Sequence, residues 1–142
     1  MFFDLYPCEN RFIMKKIFTP LMIVSALLLS SFKLQSGIDE VISALRSGNA
    51  SELSKHLDDS VELTLPDKSD NYSKAQAQLI LKDFFSNSSV KGFELKHKGE
   101  SPGGHFCIGT LQTGSGSFRT NVFMKNKGGK EVVKEIRFQS IE

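Results

Sequence analysis

The apolar residues of this chain change their spacing near Val90. Before Val90 they recur mostly at every third or fourth position, which is the spacing of an amphipathic helix, and after it they alternate with polar residues in four short runs. Glycine-rich turns such as Pro102-Gly103-Gly104 and Gly114-Ser115-Gly116 separate these runs. Helices followed by an antiparallel meander predict an α+β domain in which a curved sheet packs over helices.

The first half of the domain is predicted to contain three helices and one short strand. Residues 36–46 form an apolar face at helical spacing, and Asn49 is a suitable cap for a second, shorter helix. Ser73 is a suitable cap for a third helix, which carries the longest apolar face of the three. Between these helices, residues 61–65 alternate and predict a short strand, and residues 66–72 predict a polar loop.

The second half predicts four main strands of an antiparallel sheet with one apolar and one largely polar face. Alternation assigns to the inner face, which packs on the helices, Phe93, Leu95, His97, Phe106, Ile108, Thr110, Phe118, Thr120, Val122, Met124, Val132, Ile136 and Phe138. It assigns to the outer face Arg119, Asn121, Lys125, Glu135 and Arg137.

The N-terminal stretch has the pattern of a secretory signal peptide. Met14-Lys15-Lys16 precedes an uncharged apolar block over residues 17–32, which contains Pro20. The block is shorter than the ~20 apolar residues that a membrane-spanning helix needs, so cleavage is favoured over a retained membrane anchor. Small residues permit cleavage after Ser31 or Ser36.

The expected organisation is therefore a leader over residues 1–36 and one domain over residues 37–142. Asp4 and Glu9 precede the two lysines, where a signal should begin with positive charge, so Met14 is the expected start of translation. This places the mature protein in the periplasm or outside the cell, with no stable membrane insertion after cleavage.

Charge and cysteine content narrow the function. Residues 37–142 contain 14 basic and 14 acidic side chains, so the predicted domain has no net charge and no basic footprint for nucleic acid. Cys8 lies in the leader and Cys107 is the one cysteine of the predicted domain, which leaves no intramolecular disulfide. The core must therefore stabilise the fold.

The order helix, helix, strand, helix and four strands resembles the nuclear transport factor 2-like fold, a cone formed by a curved sheet around a long helix. Six segments are similar to the exported bacterial domain-of-unknown-function family 4783: Ser47-Gly48-Asn49-Ala50-Ser51, Leu65-Pro66-Asp67-Lys68-Ser69, Tyr72-Ser73-Lys74-Ala75-Gln76-Ala77, Lys82-Asp83-Phe84-Phe85, Gly109-Thr110-Leu111 and Gly116-Ser117-Phe118-Arg119-Thr120. The resemblance covers nearly all of residues 37–142. It implies the fold, export and a tendency to form dimers, and it implies no activity.

Four residues are candidates for binding a small apolar ligand inside the cone. His97, Thr110 and Thr120 are predicted on the inner face, and Tyr72 lies just before the third helix. A histidine there could also serve an isomerase or hydrolase that acts on a small hydrophobic substrate. The alternative is that His97 is solvated at the end of its strand. Since no Asp or Glu is predicted on the inner face, no catalytic residue is assigned.

The outer face is a candidate interface. Arg119 and Arg137 share it with Phe123, an aromatic exception on a polar surface, and this combination fits a homodimer or another partner as well as it fits a solvated face with ion pairs. His105 and Cys107 are predicted to project from the same face, but two ligands do not make a closed metal site, so no metal or cofactor is expected.

The sequence thus favours an exported, non-enzymatic module that binds a ligand or a partner. A cryptic enzyme with its substrate in the cone is the first alternative, and a structural homodimer of the cell envelope is the second.

Overall fold

A computed structural model describes residues 36–142 of the chain. The predictions of a signal peptide, of Met14 as the start and of Cys8 in the leader fall on residues that lie outside this range. Among the helices within residues 36–142, none is long and apolar enough to cross a membrane.

The described residues form three helices and six strands. In chain order these are α1 (Gly37–Ser47), α2 (Ala50–Ser54), β1 (Leu57–Leu65), β2 (Lys68–Ser73), α3 (Lys74–Ser88), β3 (Val90–Ser101), β4 (Gly104–Thr113), β5 (Gly116–Lys127) and β6 (Lys130–Ser140).

Local capping explains where the helices begin and end. Gly48 ends α1 in the left-handed conformation (φ 63°), which glycine adopts without steric cost. The Asn49 side chain accepts a hydrogen bond from the backbone N–H of Glu52 and so caps the N-terminus of α2. Ser73, the predicted cap of the third helix, forms a reciprocal capping box with Gln76 at the start of α3.

The strands form one sheet in the order β2-β1-β6-β5-β4-β3. Neighbouring strands are antiparallel except β1 and β6, which run parallel, so the sheet is mixed rather than antiparallel throughout. The prediction of a loop over residues 66–72 was wrong: the chain turns at Pro66-Asp67 and returns as β2. Nearly all of β2 is exposed at the edge of the sheet, so it has no apolar alternation by which a strand could be recognised.

The core lies between the helices and one face of the sheet, which we call the inner face; the opposite side is the outer face. The largest fully buried side chains come from the three helices and from β1, β4, β5 and β6: Leu45, Leu53, Leu63, Leu81, Leu111, Met124, Ile136 and Phe138. The class and the architecture, helices held within a curved sheet, are those that the sequence predicted.

Candidate functional site

Phenylalanine rings fill the space between α3 and the inner face. The ring of Phe84 lies 4.9 Å from that of Phe138 and 5.3 Å from that of Phe118, and Phe85 packs edge-on against Phe138. These rings form a continuous aromatic cluster with the separations that aromatic pairs prefer. The cluster occupies the part of the cone in which the sequence predicted a pocket.

Two of the four predicted ligand-binding residues lie on the inner side. Thr120 is fully buried on β5, where its hydroxyl donates a hydrogen bond to the carbonyl oxygen of Phe118 at 3.3 Å. Tyr72 pairs with Val61 across β2 and β1 and packs, half-buried, against the core. A ligand could reach Thr120 only if the surrounding core side chains moved.

The predicted inner position of His97 was wrong because β3 contains a bulge. Leu95 pairs with Gly109 and His97 pairs with Ile108, so Lys96 is an extra residue with no partner on β4. An extra residue reverses the alternation that follows it. His97 therefore lies exposed on the outer face, with its ring 5.4 Å from that of Phe106.

The predicted inner position of Thr110 was also wrong, together with those of Phe106 and Ile108. Thr110 pairs directly with the exposed Arg119, and directly paired residues share a face. The buried side chains of β4 are instead Cys107, Leu111 and Thr113, with Gly109 between them. Alternation shows two faces but does not say which one is buried when both carry apolar residues.

The outer face therefore carries a cluster of half-buried apolar side chains. Phe106 pairs with Phe123, and Ile108 lies two residues along the same face of β4. We call Phe106, Ile108 and Phe123 the outer patch. A pocket of about 150 Å³ opens on it, and Asn121 and Glu135 are also among its lining residues.

Charged side chains surround the outer patch. Arg137 binds Glu135 on the same strand, with Nη2 to Oε1 at 3.0 Å, and pairs across the sheet with Asn121. Arg119 lies two residues before Asn121 on β5, on the same face, and its side chain is exposed. The three interface candidates, Arg119, Phe123 and Arg137, thus lie together on the outer face, where the sequence placed them.

A cluster that the sequence did not predict lies on the inner side, beneath the start of α1. His105, expected on the outer face, binds Glu100 through Nε2 (2.8 Å) and Glu131 through Nδ1. The hydrogen bond to Glu100, assisted by Glu131, raises the pKa of His105 above its ordinary value. Oε2 of Glu131 is buried without a hydrogen-bond partner, and a Cβ atom on Gly37 would lie 2.9 Å from it. Sequence spacing could not reveal this cluster, since His105 and Glu131 lie on strands that are not neighbours.

The remaining cysteine and histidine have structural surroundings. Cys107 is fully buried, and burial raises the pKa of its thiol to about 11, so the thiol is unreactive at neutral pH. His56 lies in the turn after α2 and binds Glu40 at 3.1 Å at the edge of an open groove of about 600 Å³. Within residues 36–142, no group of three or more His, Cys, Asp or Glu side chains is arranged to hold a metal ion.

Comparison with known proteins identifies related sequences and structures. The family model for a domain of unknown function, DUF4783, matches residues 38–139. A DUF4783 family protein from Bacteroides ovatus is 36% identical with a TM-score of 0.70, and the match covers 72% of this chain and 94% of that one. Another from Bacteroides uniformis is 36% identical with a TM-score of 0.71, covering 73% and 96%. No curated protein matches the chain.

More distant structures share the fold alone. A nuclear transport factor 2-like protein of unknown function from Cytophaga hutchinsonii is 13% identical with a TM-score of 0.55, and the match covers 78% of this chain and 95% of that one. This likeness agrees with the curved sheet around α3, and it carries no information about activity.

Proposed function

The chain belongs to the DUF4783 family and has the nuclear transport factor 2-like fold, and from this premise we propose that it is an exported, non-enzymatic module that binds a second copy of itself through the outer face of its sheet. The leader over residues 1–36, with lysines before an apolar block, supports export.

The observation that carries the proposal is that β4 has apolar side chains on both faces. Cys107 and Leu111 point into the core, whereas Phe106 and Ile108 lie on the outer face beside Phe123. A sheet that packs helices on one side and meets water on the other has a polar outer face. Clustered apolar side chains on that face favour a covering partner.

Charges of both signs around the outer patch favour a second copy as that partner. Arg119 and Glu135 lie on the same face: Glu135 pairs directly with Phe123 across β6 and β5, and Arg119 lies four residues from Phe123 along β5. In a two-fold symmetric interface each copy presents the same surface, so Arg119 of each copy can approach an acidic side chain of the other. A self-complementary surface of this kind suits a homodimer.

Two observations argue against catalysis in the cone. The aromatic cluster fills the space beside Thr120. His105, which lies on the inner side, has both ring nitrogens engaged by carboxylates, so neither is free to exchange a proton with a substrate.

A second candidate function is the binding of a small apolar ligand at the mouth of the cone. A depression of about 170 Å³ there has Leu65, Ile80 and the Phe84 ring among its walls. Replacing Phe84 with Ala should open this depression toward Phe118 and Phe138 and increase binding of an apolar fluorescent dye. Equal dye binding by both proteins would count against this candidate.

The test of the main proposal uses protein expressed from the complete chain in a bacterium. Mass spectrometry should show a mature N-terminus after Ser31 or Ser36, and sedimentation velocity should show a dimer that dissociates on dilution. Phe123→Asp should shift the protein to monomer, whereas Leu79→Asp on the exposed side of α3 should not. A cooperative thermal unfolding transition would show that Phe123→Asp still folds, at a lower melting temperature because the stabilisation by the second copy is lost. A wild-type protein that remains monomeric at all concentrations would overturn the proposal.

A further inference from the structure

The pocket on the outer patch has chemically distinct walls. Two aromatic rings, Phe106 and Phe123, supply flat apolar surface, and Glu135 supplies a carboxylate at the rim. Arg137 holds one carboxylate oxygen of Glu135, Oε1, at 3.0 Å. A volume of about 150 Å³ suits one side-chain head group rather than a whole small molecule.

Asn121, which lines the same pocket, carries an acceptor that is unpaired within residues 36–142. Its Oδ1 is buried and has no hydrogen-bond partner within the described residues. Buried polar groups in folded proteins are almost always paired, so an orphaned acceptor on a residue that lines the pocket indicates that a donor is missing. The occupant should therefore bring a hydrogen-bond donor.

A guanidinium group matches these walls better than other side-chain head groups do. It stacks on aromatic rings, donates through several N–H groups in one plane, and is attracted by a carboxylate. An ammonium is more strongly hydrated and lacks the planar donors, and an apolar side chain would leave Asn121 unpaired. The pocket thus has the chemistry of an arginine site.

We propose that the guanidinium comes from Arg119 of the second copy, an assignment that rests on the proposed homodimer. Arg119 is exposed on the outer face and forms no ion pair within residues 36–142. It lies two residues from Asn121 on the same strand, so arginine and pocket belong to one surface. Two-fold symmetry then fills both pockets at once, with Arg119 of each copy between Phe106 and Phe123 of the other.

The test is a double-mutant cycle on self-association, measured by sedimentation equilibrium with protein expressed from the complete chain. Arg119→Ala should weaken the dimer by about 30-fold or more, the size typical of a central anchor. Asn121→Leu keeps the shape of the side chain without the acceptor and should weaken the dimer similarly. The double variant should self-associate only slightly more weakly than the weaker of the two single variants, because both changes remove the same contact. Arg46→Ala, an exposed arginine on α1, is the matched control.

Other outcomes overturn the assignment, and they separate its failure from that of the homodimer. If Phe123→Asp dissociates the dimer while Arg119→Ala does not, the dimer stands and Arg119 is not the occupant. If N-acetyl-arginine amide shifts the side-chain amide resonances of Asn121 and Arg119→Ala leaves self-association intact, the pocket takes an arginine of a different protein. A monomeric wild-type protein overturns both proposals.

Discussion

At the scale of single residues, Gly109 permits the close approach of β3 to β4. An added Cβ at this position would lie 2.5 Å from the carbonyl oxygen of Glu94 and still closer to the ring of Phe93. Backbone cannot yield as a flexible side chain can, so Gly109→Ala should lower the free energy of unfolding by about 2–3 kcal/mol. Chemical denaturation measures this change.

Gly92 provides the control for that substitution. It lies in β3, opposite β4, and the nearest atom to an added Cβ is the side-chain oxygen of Gln112 at 3.6 Å. Gly92→Ala should leave stability within about 0.5 kcal/mol of wild type. An equal loss of stability at Gly92 and Gly109 would show that the close approach of Phe93 and Glu94 is not the reason for glycine at position 109.

His105 gives the fold a pH dependence with a definite sign. Its hydrogen bond to Glu100 and its pairing with Glu131 raise its pKa above the ordinary 6.5. Because the folded state binds the proton more tightly than the unfolded state, this stabilisation is complete below about pH 6.5 and is lost as the pH rises through the raised value. The melting temperature of wild type should fall over that interval, and that of His105→Gln should not.

Two further measurements make the assignment to His105 specific. His97→Gln, at an exposed histidine with no carboxylate partner within residues 36–142, should retain the wild-type pH dependence. A proton NMR titration should place the midpoint of His105 above 6.5. A midpoint at or below that value would contradict the pairing with Glu100 and Glu131.

At the scale of elements, β2, β3 and β4 show what the alternation of the sequence could not predict. The edge strand β2 buries too little to have a pattern, and the Lys96 bulge in β3 leaves no trace in composition. In β4 both faces carry apolar residues, so alternation did not indicate which face is buried. Residues 118–123 of β5 have no such ambiguity, and Arg119 and Phe123 were placed correctly.

Asp58 ties β1 to the β5–β6 hairpin and gives a prediction at this scale. Its nearly buried carboxylate lies 2.9 Å from Nζ of Lys127 and 3.5 Å from Nζ of Lys134. The hydrogen bonds from Lys127 and from the backbone N–H of Asp59 lower its pKa to about 2. Asp58→Asn should cost about 1–2 kcal/mol at neutral pH, since the half-exposed lysines can regain water.

The lowered pKa of Asp58 also predicts how the stability of the fold changes in acid. Since the pKa of Asp58 is depressed in the folded state, its stabilisation is present above about pH 4 and is lost as the pH falls from there toward 2. Asp58→Asn should flatten the stability profile in this interval. Asp59→Asn, at a side chain that is 93% exposed, should change neither the stability at neutral pH nor its fall between about pH 4 and pH 2 appreciably. An equal loss of stability in both variants would show that the effect comes from removing a negative charge in this region and not from the contacts of Asp58.

At the scale of the whole molecule, the two faces of one sheet have different roles. The inner face is committed to the core, where the aromatic cluster joins α3 to β5 and β6. The outer face has apolar side chains, charges of both signs and an unpaired acceptor, which are features of a surface that is covered by a partner. Function in this chain is therefore expected on the surface of the cone rather than inside it.

A dimer formed through the outer face would make stability depend on protein concentration. Association stabilises the folded state by mass action, so the melting temperature of wild type should rise by roughly 3 °C for each tenfold increase in concentration, a size set by the unfolding entropy of two domains of about 100 residues. Phe123→Asp should remove this dependence, and Leu79→Asp should preserve it, since Leu79 lies 64% exposed on α3 and not in the sheet. Differential scanning calorimetry of protein expressed from the complete chain measures both. A wild-type melting temperature independent of concentration would mean that the outer face is solvated in the folded protein, and that its apolar residues serve packing within one copy.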